Sequence, residues 1–569
     1  MKRYVKVSIC FLIVSMALAA GIFIGKKMSP LRYLDNDGDN NRYYALRKLN
    51  YALDILNKEY VNDINYDTLV DNTLSTMLYS LDPFSSYVSR EALASDQEQM
   101  SGQLEGVGIL LYRLHDSVFV NNVIEGSPAS RVTLQPGDCI LKVGDRMVSG
   151  VEVPIDTVVK LIKGPRHTNV VLTVKHYNQS KPQQLHLRRA AVPTPSISCH
   201  RMLSDTIGYI VINSFTLTTA EEFHSALSQL REKGMRHLIL DLRGNGGGVM
   251  DAAVAVVNEL LSDGRLIVFT QGAHQRRQEF RSSKGGLFTK GGVTVLINEN
   301  SASASEIVAG ALQDNDRALI VGRRSFGKGL VQVFMPLPDQ SAVRLTVARY
   351  YTPSGRCIQR SYDKGSDTYM REYIMRLYDF YSDSVTYTPT DTTRYFTSKG
   401  RVVYGGGGIS PDITLPRFTD EDLLYLNMLQ DKGIFREVAM RYVARNWGKL
   451  RKQYVGLDHF INHFNAPEAL LTQAYRIGDA EGLKRDPECI SKYGDYMRQM
   501  IKADVAVCLF GSNAYLASLT SSDDELQRAL DFIHEGLPLP SKAIPQGVET
   551  KDSILKAPKN KISTSRRIK

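Results

Sequence analysis

Between residues 205 and 350, short apolar runs alternate with amphipathic segments, and this alternation constrains the fold more than any other feature of the chain. Runs such as IGYIVI and HLILDL have the length and the β-branched content of strands. The segment between them, AEEFHSALSQLREKG, carries apolar residues at helical spacing and ends in glycine. Strands that alternate with helices form α/β folds, so we predict an α/β core here.

Changes of sequence texture divide the rest of the 569 residues into regions. Helical periodicity predicts an N-terminal helical region and a C-terminal helical domain. Between them lie a segment of strands and turns and then the α/β core. A polar, tyrosine-rich segment interrupts the core, and the basic end of the chain is predicted to be disordered. The predicted boundaries are 40–97 for the N-terminal region, 98–190 for the strand-rich segment, 191–417 for the core with an insertion at 361–399, 418–540 for the C-terminal domain and 541–569 for the tail.

The first residues indicate export. Val7 to Gly25 are uncharged and mostly apolar, with lysines on both sides, and nineteen residues can just span a bilayer. The basic start and the small residues of ALAAG also fit a secretory signal. We therefore predict a signal anchor or signal peptide at 1–29. The body would then belong to the cell envelope and face the periplasm, either anchored in the inner membrane or secreted to the periplasm.

Charge and cysteine content exclude several kinds of partner. The net charge of +10 comes from the two ends of the chain, because residues 1–33 and 551–569 each carry +6. The body between them is slightly acidic and has no basic stripe with interleaved aromatics, so nucleic acid is not an expected partner. The six cysteines are scattered without CxxC spacing. We expect no metal site, no disulfide framework and no cofactor.

The stretch NENSASASEIVAGALQDN at 298–315 holds three serines and has two interpretations. Ser303 and Glu306 have the spacing of a capping box that begins an ordinary amphipathic helix. Alternatively, Ser303 is a nucleophile. A serine that caps its own helix is poorly placed to attack, so the second interpretation predicts that Ser303 turns toward a base.

Lys328, in VGRRSFGKGLVQVF, also allows more than one interpretation. Gly322 and Gly327-Lys328 nearly complete a phosphate-binding loop, but Gly329 stands where magnesium binding needs Ser or Thr. The following LVQVFMPL is β-rich where that motif needs a helix. A surface lysine in a glycine turn is the plain alternative.

A third interpretation makes Lys328 a general base. A lysine can take a serine proton only when it is neutral, and an apolar pocket favours the neutral form. The neighbouring Phe326, Leu330, Val331 and Phe334 could supply such a pocket. In an extended segment Gln332 would point to the same side as Lys328 and hold its amine.

Residues 98–190 resemble a PDZ domain. EGVGILL stands where that family has its carboxylate-binding loop and following strand, and GSPASRVTLQPGDCILKVGDRMV matches its helix, turn and paired strands. The resemblance implies that Gly106, Val107, Gly108 and Ile109 bind a peptide, with the strand edge accepting an extended chain by β-augmentation. A glycine turn inside a structural β-domain is the alternative.

Three features together resemble the carboxyl-terminal processing peptidases, which are tail-specific serine proteases with a Ser–Lys dyad. They are SASASEIVAGALQD, FGKG with its lysine 25 residues after Ser303, and Gln332 four residues after that lysine. YSLDPFSSYVS, LIKGPRHT, LILDLRGNGGG and ARYYTPSGR match the same family in order. The resemblance implies an α/β protease core of crotonase-like ββα repeats with an inserted PDZ domain and flanking helical regions.

The resemblance also implies roles for individual residues. Ser303 would be the nucleophile, Lys328 the general base and Gln332 its orienting partner. The oxyanion hole would use the amides of Ala304 and of Gly247 in RGNGGG. The chain departs from the family at Gly246, where proline is usual, and this leaves the second oxyanion donor open.

We therefore predict an exported serine endopeptidase that binds protein C-terminal tails through its PDZ domain and cleaves them by an acyl-enzyme mechanism. Its partners would be proteins with accessible C-termini, the membrane through the N-terminal segment, and an adaptor or a second copy of the chain through the helical regions. Two alternatives are a catalytically silent PDZ scaffold or adaptor and a nucleotide-binding protein. Loss of Ser303 without effect would favour the scaffold, and the glycine at position 329 argues against nucleotide binding.

Overall fold

The computed structural model describes residues 37–177, 179–378, 393–415 and 423–536. These residues form two compact units that divide between Thr76 and Met77. The first unit contains helix α1 and most of helix α2. The elements of the N-terminal part are α1 (Asp37–Glu59), α2 (Tyr66–Tyr79), strand β1 (Ser86–Val88), α3 (Arg90–Ser101) and β2 (Gln103–Gly106).

The next segment is a small β-domain with its own core. Its sheet has the order β3-β4-β5-β7-β8, with β6 paired to β5, and β3 lies at one edge. Helix α4 packs against β3 and β5, and the apolar side chains between them are buried. The elements are β3 (Ile109–Leu114), β4 (Ser117–Val123), β5 (Cys139–Val143), β6 (Arg146–Met147), α4 (Ile155–Ile162), β7 (Asn169–Lys175) and β8 (Gln183–Arg188).

The α/β core follows, and it is built on a six-stranded sheet. The sheet has the order β10-β11-β12-β15-β16-β21, in which β10 is antiparallel to β11 and the other neighbours are parallel. Helices α5, α6 and α7 bury apolar residues against one face of it. These elements are β9 (Ala190–Pro193), β10 (Ile197–Met202), β11 (Ile207–Ile212), α5 (Thr219–Glu232), β12 (His237–Asp241), α6 (Met250–Asn258), β13 (Leu266–Gln271), β14 (Gln278–Arg281), β15 (Gly292–Ile297), α7 (Ala304–Asp314) and β16 (Leu319–Gly322).

A second, antiparallel sheet completes the core. It has the order β1-β18-β13-β14, with β17 paired to β18. Ser86 pairs with Arg344, so the short strand after α2 belongs to this sheet. The remaining elements of the core are β17 (Leu330–Pro336), β18 (Ala342–Tyr351), α8 (Ser366–Tyr378), β19 (Arg394–Phe396), β20 (Val402–Tyr404) and β21 (Ile413–Thr414).

The C-terminal region is helical. Helices α14 and α15 cover the second face of the six-stranded sheet, where Leu526, Ala529 and Phe532 join its core. The other helices form a core of their own, against which Leu114 and Phe119 of the small β-domain also pack. The helices are α9 (Leu424–Asp431), α10 (Ile434–Gln453), α11 (Leu457–His463), α12 (Glu468–Ala480), α13 (Pro487–Phe510), α14 (Ala514–Leu519) and α15 (Asp524–His534).

Two features of the structure differ from the predicted N-terminal helical region at 40–97. The boundary at residue 98 falls inside helix α3, which continues to Ser101 because Gly102 in a left-handed conformation (φ 69°) ends it. The strand β1 lies inside the predicted N-terminal helical region and pairs with the core instead. Three residues of strand are too short to show a periodicity, and pairing with β18 alone defines them.

Two predicted segments lie outside the described residues, namely the signal segment at 1–29 and the tail at 541–569. Within the described ranges, no helix has the length and apolar content needed to cross a membrane. The predicted insertion contains helix α8 and strand β19, and its residues 379–392 are not described.

Candidate active site

Three loops meet at one edge of the six-stranded sheet. They follow the neighbouring parallel strands β12, β15 and β16, and the carboxyl ends of parallel strands lie at the same edge. The first loop contains Gly247, the second ends at Ser303 and the third contains Lys328. Sheet topology therefore brings together residues that are up to 81 positions apart in the sequence.

The structure distinguishes Ser303 from its two neighbouring serines. The Ser301 hydroxyl donates to the Leu242 carbonyl at 2.8 Å, and the Ser305 hydroxyl donates to the Asn245 carbonyl at 2.9 Å. Both of these side chains are buried and hold the first loop. Ser303 is half-buried and has a strained backbone, with φ 53° and ψ −112°. Strain of this kind in a non-glycine residue is frequent at functional sites.

Ser303 precedes helix α7, and Glu306 stands at the third position of that helix. The pair has the arrangement of a capping box. The Glu306 amide donates to the Ser303 carbonyl oxygen at 2.9 Å, and the Ser303 amide donates to Glu306 Oε2 at 2.9 Å. Glu306 therefore holds the Ser303 backbone from the first turn of the helix.

The Glu306 carboxylate joins the serine to the lysine loop. Besides the Ser303 amide it accepts hydrogen bonds from the Gly327 amide at 2.7 Å, the Lys328 amide at 2.8 Å and the Ser325 hydroxyl at 2.5 Å. Its side chain is completely buried, and this burial raises the pKa of Glu306 to about 7. One buried side chain thus fixes the backbones of both candidate catalytic residues.

Tyr350 makes a second connection between them. Its hydroxyl is 3.0 Å from the Ser303 carbonyl oxygen and also contacts the carbonyl oxygen of Lys328. The side chain is fully buried, and burial raises the pKa of Tyr350 well above its ordinary value. A neutral phenol in this position donates its proton to carbonyls and keeps the two residues at a constant separation.

The environment of Lys328 suits a neutral amine. The Nζ atom lies 4.6 Å from the centroid of the Phe84 ring. Burial, and to a smaller extent the nearby positive charge of Arg344, lowers the pKa of Lys328 to about 8. The negative charges of Glu306 and Asp82 act in the opposite direction. An amine of this kind is partly deprotonated near neutral pH, as a general base requires.

Gln332 takes a different position from the one expected. Strand β17 begins at Leu330, and a register shift separates Val331 from Gln332. The alternation of a regular strand therefore does not extend from Lys328 to Gln332. The Gln332 amide donates to the Phe84 carbonyl at 2.7 Å and so holds the residue whose ring lies beside the lysine.

The LDPFSS turn is a part of the site that the sequence patterns did not identify. Asp82 is buried, and its Oδ1 atom accepts the amides of Phe84 and Ser85, both at 2.8 Å. Asp82 also contacts the Thr346 hydroxyl on β18 at 3.2 Å, which attaches the turn to the core. The segment belongs to the motif YSLDPFSSYVS, but its partners lie more than 240 residues away in the sequence and leave no local signal of its role.

The candidate oxyanion donors lie beside Ser303. Ala304 is the first residue of α7, where helix amides have no partner within the helix. A Cβ atom at Gly247 would be 2.7 Å from the Ser303 Cβ and 3.0 Å from the Ala304 nitrogen, so only glycine allows this approach. However, the Gly247 amide donates to Asn245 Oδ1 at 2.8 Å. An oxyanion hole would need this amide to donate to the substrate oxygen.

A network of ion pairs attaches the first and third loops to the start of helix α15. Arg243 forms ion pairs with Asp523 at 2.6 Å and with Glu525 at 2.9 Å, and Glu525 also pairs with Arg323. Asp523 and Glu525 come from the start of α15 in the C-terminal helical region. This region thus contacts the loops that carry the candidate site, a contact that no motif indicated.

In the small β-domain, the four predicted peptide-binding residues connect β2 to the edge strand β3. Gly108 has φ 80°, and a Cβ atom there would be 2.2 Å from the Ser127 Cβ. The carbonyls of Val107 and Gly108 accept hydrogen bonds from the amides of Ala129 and Ile124. Strand β3, which follows, lies at the edge of the sheet. Such an edge can accept an extended peptide.

The structure also bears on the phosphate-loop alternative. The segment after Lys328 is strand β17 in an antiparallel sheet and not the helix that the phosphate-binding motif needs. Among the described residues, no group of three or more His, Cys, Asp or Glu side chains could hold a metal ion. The chemistry that this arrangement supports is attack by a serine hydroxyl with a lysine as base.

Four segments of the chain match known families. Residues 206–364 match peptidase family S41, and residues 119–176 match the PDZ domain. Residues 20–92 match the N-terminal domain of the activating protease CtpB. Residues 425–511 match a family of unknown function.

Individual relatives cover most of their own length in the match. A carboxy-terminal-processing protease of Bartonella bacilliformis is 34% identical over 60% of this chain and 79% of the relative. The carboxy-terminal processing protease CtpA of Bacillus subtilis is 33% identical over 63% of this chain and 76% of the relative. A solved structure, a photosystem II D1 C-terminal processing protease, is 28% identical over 56% of this chain and 84% of its own, with a TM-score of 0.34.

Proposed function

The chain belongs to peptidase family S41 as a PDZ-containing, serine-type carboxy-terminal processing protease that acts on protein substrates, and on that premise we propose that Ser303 and Lys328 form its catalytic dyad. The observation that carries this proposal is the joint fixation of both residues by Glu306 and Tyr350. Two residues in different loops share two buried side chains as partners, and such an arrangement maintains one geometry.

In the proposed reaction, the neutral Lys328 amine takes the Ser303 hydroxyl proton while Oγ attacks the scissile carbonyl carbon. The tetrahedral intermediate collapses, the C–N bond breaks, and the Lys328 ammonium returns the proton to the leaving amine. Water then attacks the acyl-enzyme ester with Lys328 again as base. This second step releases the new C-terminus and restores the Ser303 hydroxyl. Gln332 supports the lysine through Phe84.

The proposed oxyanion hole consists of the Ala304 and Gly247 amides. Positive charge density at the start of α7 favours an oxyanion at Ala304. For Gly247 to take part, its amide must exchange the Asn245 side chain for the substrate oxygen. A small rotation of the Gly246–Gly247 peptide would suffice, and the glycine at position 246 permits such a rotation more readily than proline would.

We further propose that residues Gly106 to Ile109 bind the C-terminal carboxylate and last residues of the substrate. The open edge of β3 and the adjacent α4 support this part of the proposal. We also propose that the core is crotonase-like and that the protein is exported to the inner membrane or the periplasm. The helical regions would dock an adaptor or a second copy of the chain. The apolar segment at Val7–Gly25 supports export.

The proposal predicts that activity rises with pH. Only the neutral form of Lys328 can accept the serine proton, and its pKa is lowered to about 8. We therefore expect kcat/KM to increase about tenfold per pH unit below that value and to level off above it. Initial rates from pH 5.5 to 10 on a peptide without ionisable side chains would test this. A midpoint well below 8 would contradict Lys328 as the base.

The direct test uses the full-length protein purified in detergent and an unstructured protein substrate with either a free or an amidated C-terminus. We expect mass spectrometry to show cleavage of the free form, slower cleavage of the amidated form and none by Ser303→Ala. The matched control is Ser130→Ala in the small β-domain, which lies outside the candidate active site. Cleavage that survives Ser303→Ala would refute the dyad, and capture of the tail without any cleavage would support a PDZ scaffold.

A further inference from the structure

Helix α8 belongs to the segment that the sequence marks as an insertion, and it packs beside the loop of Lys328. Its first turn is attached near the end of α2. The Ser366 hydroxyl donates to the Tyr79 carbonyl at 2.8 Å, and the Tyr79 hydroxyl donates to Asp367 Oδ1 at 2.9 Å. The start of α8 is thus attached to the last residue of α2.

Further along α8, Arg376 reaches the loop itself. Its guanidinium donates to the carbonyl of Ser325 at 2.9 Å, of Arg324 at 3.2 Å and of Phe326 at 3.4 Å. The Tyr369 hydroxyl donates to the next carbonyl, that of Gly327, at 3.4 Å. Four consecutive carbonyls before Lys328 therefore receive hydrogen bonds from two side chains of one helix.

Aromatic packing supports the same contact. The ring of Tyr373 lies 4.6 Å from that of Phe326, and its hydroxyl donates to Asn300 Oδ1 at 2.7 Å. The ring of Tyr369 lies 5.5 Å from that of Phe84, the residue beside the lysine amine. The helix thus contacts the loop of Ser303, the loop of Lys328 and the Phe84 turn.

The opposite side of the lysine loop faces Glu306, which accepts the amides of Gly327 and Lys328 and the hydroxyl of Ser325. The peptide group between Phe326 and Gly327 consequently lies between Glu306, a buried anion that binds its N–H group, and Arg376, a half-buried cation that binds its C=O group. Both interactions orient the peptide dipole in the same direction. Hydrogen bonds to charged groups are stronger than neutral ones, so the loop is held more firmly than an ordinary glycine turn.

The position of Arg376 has a cost. Burial lowers the pKa of Arg376 to about 10, because a desolvated guanidinium loses the solvation of its charge. The carbonyl oxygens of the loop recover part of that solvation. A lysine in this position could not form the same fork of hydrogen bonds.

We propose that α8 is a positioning element for the general base, and that Arg376 keeps the Lys328 loop in the geometry that the dyad needs. This proposal rests on the proposed function of Lys328 as the base. Arg376 acts through the loop and does not touch the substrate. Displacement of a catalytic group by about 1 Å can reduce a rate by about 10²-fold.

The test compares Arg376→Met with Arg371→Met in the full-length protein. Arg371 is an exposed arginine on the same helix and serves as the matched control. We expect Arg376→Met to lower kcat about 10²-fold with KM nearly unchanged. Hydrogen exchange should become faster at residues 324–330 and stay unchanged in the rest of the core. Arg371→Met should behave as wild type in both measurements.

Other outcomes have defined meanings. Equal kcat and equal exchange in the two variants would overturn the proposal, as would faster exchange throughout the core with a lower melting temperature. If the wild type shows no Ser303-dependent cleavage, the dyad fails as a proposal. The exchange at 324–330 then still decides whether Arg376 holds the loop.

A second variant covers the case in which Arg376→Met does not fold. Arg376→Lys keeps the charge and loses the fork, so we expect a decrease in kcat of about tenfold with unchanged KM. An Arg376→Lys enzyme with the kcat and the pH profile of wild type would overturn the proposal.

Discussion

Replacing Lys328 with arginine is expected to lower kcat by about 10⁴-fold or more while the protein stays folded and still binds substrate tails. Arginine keeps the positive charge and can remain over the Phe84 ring, but its guanidinium does not deprotonate in the accessible pH range. The substitution therefore separates a structural role of the cation from its role as a base. Rates of peptide cleavage under single-turnover conditions would measure the effect.

Lys290→Arg is the matched control for this experiment, because Lys290 is an exposed lysine. It should retain wild-type kcat. Affinity for a peptide with a free C-terminus, measured by fluorescence polarisation, should be the same in both variants and in wild type. Retention of even a tenth of wild-type kcat in Lys328→Arg would exclude Lys328 as the general base.

Replacing Glu306 with glutamine is expected to lower kcat about 10²-fold and the free energy of unfolding by about 2 kcal/mol. The carboxylate accepts hydrogen bonds from three amides and one hydroxyl in a fully buried site. A glutamine side chain of the same size turns one acceptor oxygen into an NH₂ group that faces donors. The loops of Ser303 and Lys328 would then separate, or at least one buried amide would lose its partner.

Urea unfolding and steady-state kinetics would measure the two effects separately. Glu232→Gln, at an exposed glutamate near the end of α5, is the control and should change neither quantity. A Glu306→Gln variant with wild-type kcat and lowered stability would show that the carboxylate supports the fold alone. Unchanged stability together with unchanged kcat would contradict the argument from buried hydrogen bonds.

Local patterns in the sequence were sufficient to predict the α/β core and the strand-rich PDZ segment. IGYIVI and HLILDL form strands β11 and β12 in the structure, and AEEFHSALSQLREKG contains all of helix α5 except its first residue, Thr219. These elements are readable because periodicity and turn residues are properties of a few consecutive positions. The pair Ser303 and Glu306 was likewise recognisable from its spacing, although as a helix cap.

The second function of Glu306 could not be predicted in this way. The spacing indicated a bond to the Ser303 amide, and that bond is present. The bonds to Gly327 and Lys328 depend on the position of β16 beside β15, which only the sheet topology determines. A capping box and a bridge between two catalytic loops have the same local sequence.

Gln332 illustrates the limit of a periodicity argument. The side of a strand on which a side chain lies alternates only while the strand is regular, and the register shift before Gln332 removes that regularity. Its contact with Phe84 also needs the turn at Asp82 to dock on β18. Neither condition is visible in the residues that surround Gln332.

By itself, the sequence of this protein determined the kinds of elements, the family and the residues capable of serine chemistry, since each of these depends on short motifs. The tertiary structure alone decided which groups surround those residues. Phe84, Tyr350, Arg376, Asp523 and Glu525 reach the loops of the site from distant parts of the chain. Burial, and with it the lowered pKa of Lys328, follows from how these distant segments pack, because desolvation depends on every atom nearby and not on the neighbours in sequence.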